Sequence, residues 1–318
     1  MSERITVGIS ACLLGDKVRF DGGHKRLAFA VDELAPFIHF ESVCPEMALG
    51  LPSPRPALRL VKAGDDHVRI SFSNQPETDL TSAMQAFSAQ KIAGLQHLSG
   101  YIVCAKSPSC GMARVRVYET DGKNNRKSGT GIFTQELMRQ LPWLPIEEDG
   151  RLCNPELKEN FVARIYALHE FNQLWQQGIN RASLIAFHSR YKLLLLAHSQ
   201  HEYRELGRFV AAIGQWNSIN DCAFEYRNRL MALMSQHSSR RGHTNVLQHV
   251  QGYFRHQLNP RQRNELTQLI LRYLHGSQPL LAPITLLKHY LAEYPDSYLA
   301  QQRYFDPYPE ILRLRYGH

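Results

Sequence analysis

Three cysteines, Cys12, Cys44 and Cys110, each stand just beyond a short apolar run in the first third of the chain. Three thiolates delivered to one point would form a soft-ligand trap, suited to zinc or an iron–sulfur cluster. They form no C-x-x-C pair, so spacing alone leaves a second reading open, that of small buried hydrophobic side chains. Their surroundings favour the first. Ser10-Ala11-Cys12-Leu13-Leu14-Gly15, Cys44-Pro45-Glu46 and Lys106-Ser107-Pro108-Ser109-Cys110-Gly111 are polar, turn-forming stretches rather than core positions. Of the other cysteines, Cys104 lies in an apolar strand and is expected to pack. Cys153 falls in a linker and Cys222 on a helix.

Glu46, two residues from Cys44, has a carboxylate able to move protons or orient water. Its bland reading is a solvated loop acid or a helix-capping partner. Ser107, three residues before Cys110, can hold a substrate oxygen or donate a proton, or serve as a plain turn residue ahead of Pro108. Lys106 and Arg55 can neutralise anionic substrate or cluster charge, or simply face water.

The elements that must position these groups are legible as periodicity. The runs at 5–9, 37–40 and 101–103 read as buried strands, each followed by a Gly/Pro/Ser-rich loop. In an open parallel sheet, loops leaving the carboxyl ends of neighbouring strands converge on one crevice. Apolar residues at helical spacing predict helices at 79–98 and about 133–141. The expected N-terminal fold is therefore α/β with a mainly parallel sheet. Pro142-Trp143-Leu144-Pro145 and Glu147-Glu148-Asp149-Gly150 have the composition of a linker. Beyond it the pattern predicts helices at 156–177, 181–199, 203–212, 222–235, 244–257, 261–275 and 284–294, an all-α second domain. The expected domains are 1–150 and 151–318.

At 318 residues two domains are the better expectation, and 43% hydrophobic content excludes wholesale disorder. No apolar stretch reaches the length of a membrane helix, and Met1-Ser2-Glu3-Arg4 leads into a strand without a signal-peptide pattern. A cytoplasmic location without membrane partners is expected. In that reducing compartment six widely spaced cysteines read as free thiols or metal ligands.

The net charge of +8 is unevenly placed. Residues 1–150 hold 17 Lys+Arg against 17 Asp+Glu, whereas residues 151–318 hold 20 against 12. The excess is arginine, since only Lys158, Lys192 and Lys288 are lysine there. Arginine favours forked contacts to phosphate, although an idle basic surface fits the same numbers. Arg190 with Lys192, Arg204 with Arg208, and Arg240-Arg241-Gly242-His243 are clusters able to track phosphates. Tyr191, Tyr203 and Tyr253 could stack on bases or fill the core. His198, His201 and His249 form a less favoured candidate metal site.

Taken together, Ser10-x-Cys12, Cys44-Pro45-Glu46 running on to Gly50-Leu51 and Pro54-Arg55, and Ser107-Pro108-Ser109-Cys110-Gly111 resemble the thiouracil desulfidase (TudS) family over residues 4–150. Phe187-His188-x-x-Tyr191-Lys192-Leu193, Tyr203-Arg204-Glu205-Leu206-Gly207-Arg208 and His243-Thr244-Asn245-Val246-Leu247-Gln248-His249 resemble the YbgA-like helical domain. The fusion in this order resembles tRNA 4-thiouridine desulfidases (RudS). The resemblance implies a [4Fe-4S] cluster on Cys12, Cys44 and Cys110. It also implies catalytic roles for Glu46 and Ser107, and tRNA containing 4-thiouridine as the partner of the helical domain. Where that family commonly has an arginine–tyrosine pair, this chain has Arg19-Phe20, so no hydroxyl role is carried over there.

Two other functions compete. One keeps the chemistry but takes free thiouracil, leaving the helical half structural. The other is a non-catalytic RNA-binding protein with a structural zinc.

Overall fold

Ile5, Val7 and Ile9 are all buried, and β-branched residues suit a strand covered on both faces. In the computed structural model they form β1 (Ile5–Ser10), which runs into a single helical turn, α1 (Ala11–Leu14), closed by Gly15 in the left-handed region. The next strand is β2 (Ile38–Val43), longer than its apolar run, and it leads into α2 (Pro45–Ala48) with proline at the start of the turn. Residues 4–64, 67–120, 122 and 124–315 are described, so Met1-Ser2-Glu3 of the expected N-terminal approach lies outside them.

A hairpin follows, β3 (Leu58–Lys62) and β4 (Val68–Phe72), then α3 (Thr81–Ala93) and β5 (Tyr101–Val103). The unit is completed by β6 (Val115–Tyr118), β7 (Asn125–Gly129), α4 (Ile132–Gln140) and β8 (Ile146–Glu148). One sheet has the order β2-β1-β5-β8 with every pairing parallel. A second sheet, not anticipated from the sequence, has the order β4-β3-β6-β7 and is mixed, with only β3 and β6 parallel. Its core face carries Leu60, Ile70 and Val115 against Met84 and Ile132.

The expected linker is corrected by the structure. Ile146–Glu148 is the edge strand of the parallel sheet, and Trp143, Leu144, Glu147, Glu148 and Asp149 are all buried. Its acidic composition reflects backbone anchoring rather than solvation. The division between the two units falls later, between Asn154 and Pro155.

The second unit is helical: α5 (Pro155–Gln176), α6 (Arg181–His198), α7 (Gln200–Ala211), α8 (Ile219–Ser235), α9 (Arg240–Tyr253), α10 (Pro260–Leu274) and α11 (Leu281–Glu293). The polar residues Asn180, Ser199, Ser218, Ser239 and Asn259 cap α6 to α10, accepting hydrogen bonds from first-turn amides. Phe171, Phe187, Tyr191 and Tyr226 interlock as an aromatic core. Among the described residues, no helix is long and apolar enough to cross a membrane.

Candidate active site

Three of the parallel strands deliver the cysteines. Cys12 sits on α1 after β1, Cys44 caps the start of α2 after β2, and Cys110 lies on the loop after β5. These loops leave the carboxyl ends of adjacent strands, and all three side chains line one cavity of about 370 Å³. Glu46, Ser107, Lys106 and Arg55 line it too, as do Phe20, Arg19 and Lys25.

A fourth thiol shares the cavity. Cys104, expected to pack inside its strand, stands one residue beyond β5 and hydrogen-bonds with Cys12. The signal was its position at a strand terminus, where the pleat ends and the loop begins. This shared proton holds Cys12 up and lets Cys104 ionise more readily. Burial, reinforced by the Glu46 carboxylate, lifts the Cys44 thiol to about 12, and the same two causes hold Cys110 well above its ordinary value.

Buried thiols of this kind release protons when a metal supplies the compensating charge. Among the described residues, no three Cys, His, Asp or Glu side chains close on a single ion, which is what a mononuclear zinc requires. In a polynuclear cluster each thiolate takes its own iron, so convergence on a shared cavity is what matters. The donor set fits such a cluster, with Arg19, Lys25, Arg55 and Lys106 around the cavity to balance its anionic ligands.

Glu46 is buried at the first turn of α2. Its Oε1 accepts a 2.7 Å hydrogen bond from the Ser109 hydroxyl, and its Oε2 one of 3.3 Å from the Cys44 thiol. Ser109 is fully buried, although nothing in its loop sequence sets it apart from its neighbours. Its partner is 63 residues away, a pairing without local sequence signal. The Ser107 oxygen accepts from the amides of Ser109 at 3.3 Å and Cys110 at 3.1 Å, a turn that shapes the cysteine loop. Ser107 lines the cavity, and its own proton has no acceptor among the described residues.

The acidic run of β8 holds this loop at both ends. Asp149 accepts from the Ala105 amide at 2.7 Å and pairs with Lys25 at 2.5 Å. Glu148 accepts from the amides of Met112 at 3.0 Å and Ala113 at 3.3 Å. The Ser10 hydroxyl accepts from the Cys104 amide at 3.1 Å. Gly131 completes the clamp, because a Cβ there would lie 2.5 Å from the Ser109 carbonyl carbon and 2.6 Å from the Cys110 nitrogen. Arg55 braces the opposite wall, donating to the carbonyls of Val18 at 3.0 Å and Pro52 at 3.1 Å. Phe20 is 45% exposed beside Arg19.

The helical unit treats the expected phosphate-binding residues unevenly. Arg190 pairs with Glu170 at 2.7 Å, Arg208 is held by Glu205, and Arg240 donates to the Tyr273 carbonyl at 3.0 Å. His243 is buried between Tyr304 and Ser238, which removes it from any surface role. Lys192 is half-buried, while Arg204 and Arg241 are exposed. Tyr191 is core, donating to Glu170, whereas Tyr253 is partly exposed and stacked on Tyr298. His198, His201 and His249 fall under the same geometric finding as the cysteines: no group of three among the described residues grips an ion.

Comparison with known proteins agrees with these two units. Residues 7–149 match the family model described as 2-thiouracil desulfurase. Residues 192–309 match one described as a protein of unknown function, DUF1722. Over 159 residues the chain is 49% identical to the uncharacterized protein YbgA of Escherichia coli (strain K12), covering 50% of this chain and 94% of that protein. A solved structure of a [4Fe-4S]-dependent thiouracil desulfidase, TudS, is 30% identical over 49% of this chain and 96% of that one, with a TM-score of 0.38. The chain thus belongs to the YbgA family and joins to that helical domain an N-terminal domain of the 2-thiouracil desulfurase family.

Proposed function

We propose that this protein removes sulfur from 4-thiouridine in tRNA, yielding uridine and sulfide, with a [4Fe-4S] cluster held by Cys12, Cys44 and Cys110. The observation that carries the reading is the meeting of these three thiols with a buried, doubly hydrogen-bonded glutamate in one cavity. Held by these three thiolates, the cluster would supply Lewis acidity toward sulfur.

The chain's own groups account for the rest. Glu46, held by Ser109, accepts a proton from water and directs the oxygen at the thiocarbonyl carbon. The Ser107 proton holds the pyrimidine edge, and Phe20 offers a ring face to the base. Water enters and hydrogen sulfide leaves, so the carbon–sulfur bond is replaced by carbon–oxygen at constant oxidation level. A thiolated base in tRNA reaches such a cavity once it is unstacked.

The test is anaerobic reconstitution of the full chain, iron and labile-sulfide assay, and nucleoside analysis of tRNA after incubation. Conversion of 4-thiouridine to uridine is expected. Turnover of free thiouracil with tRNA left intact would replace this reading by the small-molecule one. Stoichiometric zinc without iron would overturn both.

A further inference from the structure

A second cavity, of about 760 Å³, opens beside the first on the same unit and shares Ala57, Leu58, Ala105, Lys106 and Pro108 with it. Its floor is the mixed sheet that the sequence did not announce. Along β6 the side chains alternate, with Val115 buried in the core and Arg116 exposed. Arg116 stands directly opposite Lys127 on β7, and Arg59 occupies the neighbouring position on β3, since Leu60 aligns with Val117.

Like charges facing each other across strands are destabilising, so this row has an energetic cost within the protein. Among the described residues, no carboxylate pairs with Lys106, Arg114, Arg116 or Lys127, all of which line the cavity and are exposed. Among the described lining residues the carboxylate is that of Glu148, which is committed to backbone amides. Arg59 lies over the Tyr118 ring at 5.5 Å and donates from one Nη to the Gly122 carbonyl at 3.4 Å, while its buried Nε has no partner among the described residues. Lys106 and Arg114 both hold left-handed backbone conformations, unusual for side-chain-bearing residues.

We propose that this groove binds the phosphodiester backbone of the RNA strand flanking the thiolated nucleotide, so that the catalytic unit itself carries a phosphate-tracking surface. The assignment rests on the tRNA reading above and adds to it the place where the strand lies. A row of cations spanning three strands exceeds what one small anion needs, and it ends at the wall of the cavity that receives the base. An aromatic ring set among cations is the usual platform for single-stranded nucleic acid. The sequence balance of 17 against 17 hid this surface, because the matching acids are used elsewhere, as at Glu147, Glu148 and Asp149.

The experiment measures binding of 4-thiouridine-containing tRNA to the full-length protein between about 50 and 200 mM salt, by fluorescence anisotropy. The double variant Arg116→Ala/Lys127→Ala is expected to bind roughly tenfold or more weakly, with a log K against log salt slope shallower by about 2. Lys127→Ala alone, on the exposed edge strand β7, is expected to show about half that change in slope. A wild-type protein that binds tRNA steeply while both variants match its slope and affinity overturns the groove and spares the tRNA reading. A wild-type protein that does not bind tRNA at all overturns both.

Discussion

Removing one hydroxyl tests the catalytic reading most sharply. Ser109→Ala deletes the 2.7 Å hydrogen bond to Glu46 Oε1 and leaves the cavity lining otherwise intact, since Ser109 is fully buried behind it. A hydrogen bond to a charged group contributes about 1.5–3 kcal/mol, and more of that is felt when the acceptor is left buried without a replacement. Glu46 is buried, and among the described residues its other bond is the longer one from the Cys44 thiol, whose proton is lost when Cys44 serves as a cluster ligand. If Ser109 positions Glu46 for proton transfer, that loss falls on the chemical step. At about 1.4 kcal/mol per tenfold, kcat drops roughly 10- to 100-fold while KM for tRNA changes little. The assay is single-turnover conversion of 4-thiouridine, followed by nucleoside chromatography on protein of matched iron content. Glu46→Gln supplies the second corner of a double-mutant cycle. On that background Ser109→Ala should cost nothing further, because the group it positions no longer takes the proton. Additive losses, or an unchanged kcat in the single variant, would refute the argument.

Three further outcomes follow from the same geometry. Cys12→Ser, Cys44→Ser and Cys110→Ser should each lose most of the iron after anaerobic reconstitution, whereas Cys104→Ser should keep about four irons per chain; iron and labile-sulfide assays decide this. Gly131→Ala forces a Cβ against the backbone of Ser109 and Cys110, so the cysteine loop must shift. The expected cost is about 1–3 kcal/mol, seen as a lower melting temperature together with reduced iron uptake. In the helical unit, burial lowers His188 from 6.5 to about 4, and it sits beside Tyr226 almost without exposure. Because the folded state resists protonation, its stability is complete above pH 6.5 and falls between 6.5 and 4, by about 3 kcal/mol for this residue. Urea midpoints across that range should show the slope in wild type and a flatter one in His188→Gln.

Most of the architecture was legible because it is written in local periodicity. Isoleucine and valine at 5, 7 and 9 and the apolar triplet at 101–103 specify buried strands, and a strand's end followed by serine, proline and glycine marks where a loop carries chemistry. That logic put Cys12, Cys44 and Cys110 at one edge of a parallel sheet, and Glu46 and Ser107 beside them. The helical half was equally plain, as its apolar spacing and polar caps recur turn by turn.

What tertiary structure decided is the set of partnerships between residues far apart in the chain. Ser109 meets Glu46, Cys104 meets Cys12, and the acidic run that looked like a linker becomes an edge strand anchoring the cysteine loop. Charge shows the same divide. Composition placed the basic surface in the helical half, yet Arg190 and Arg208 are tied to glutamates and His243 is buried, while Arg116 and Lys127 face each other across a sheet of the charge-balanced half with no carboxylate partner among the described residues. A sequence counts charges. Only the fold determines which of them neutralise one another, because Coulomb attraction depends on distances that chain order does not specify.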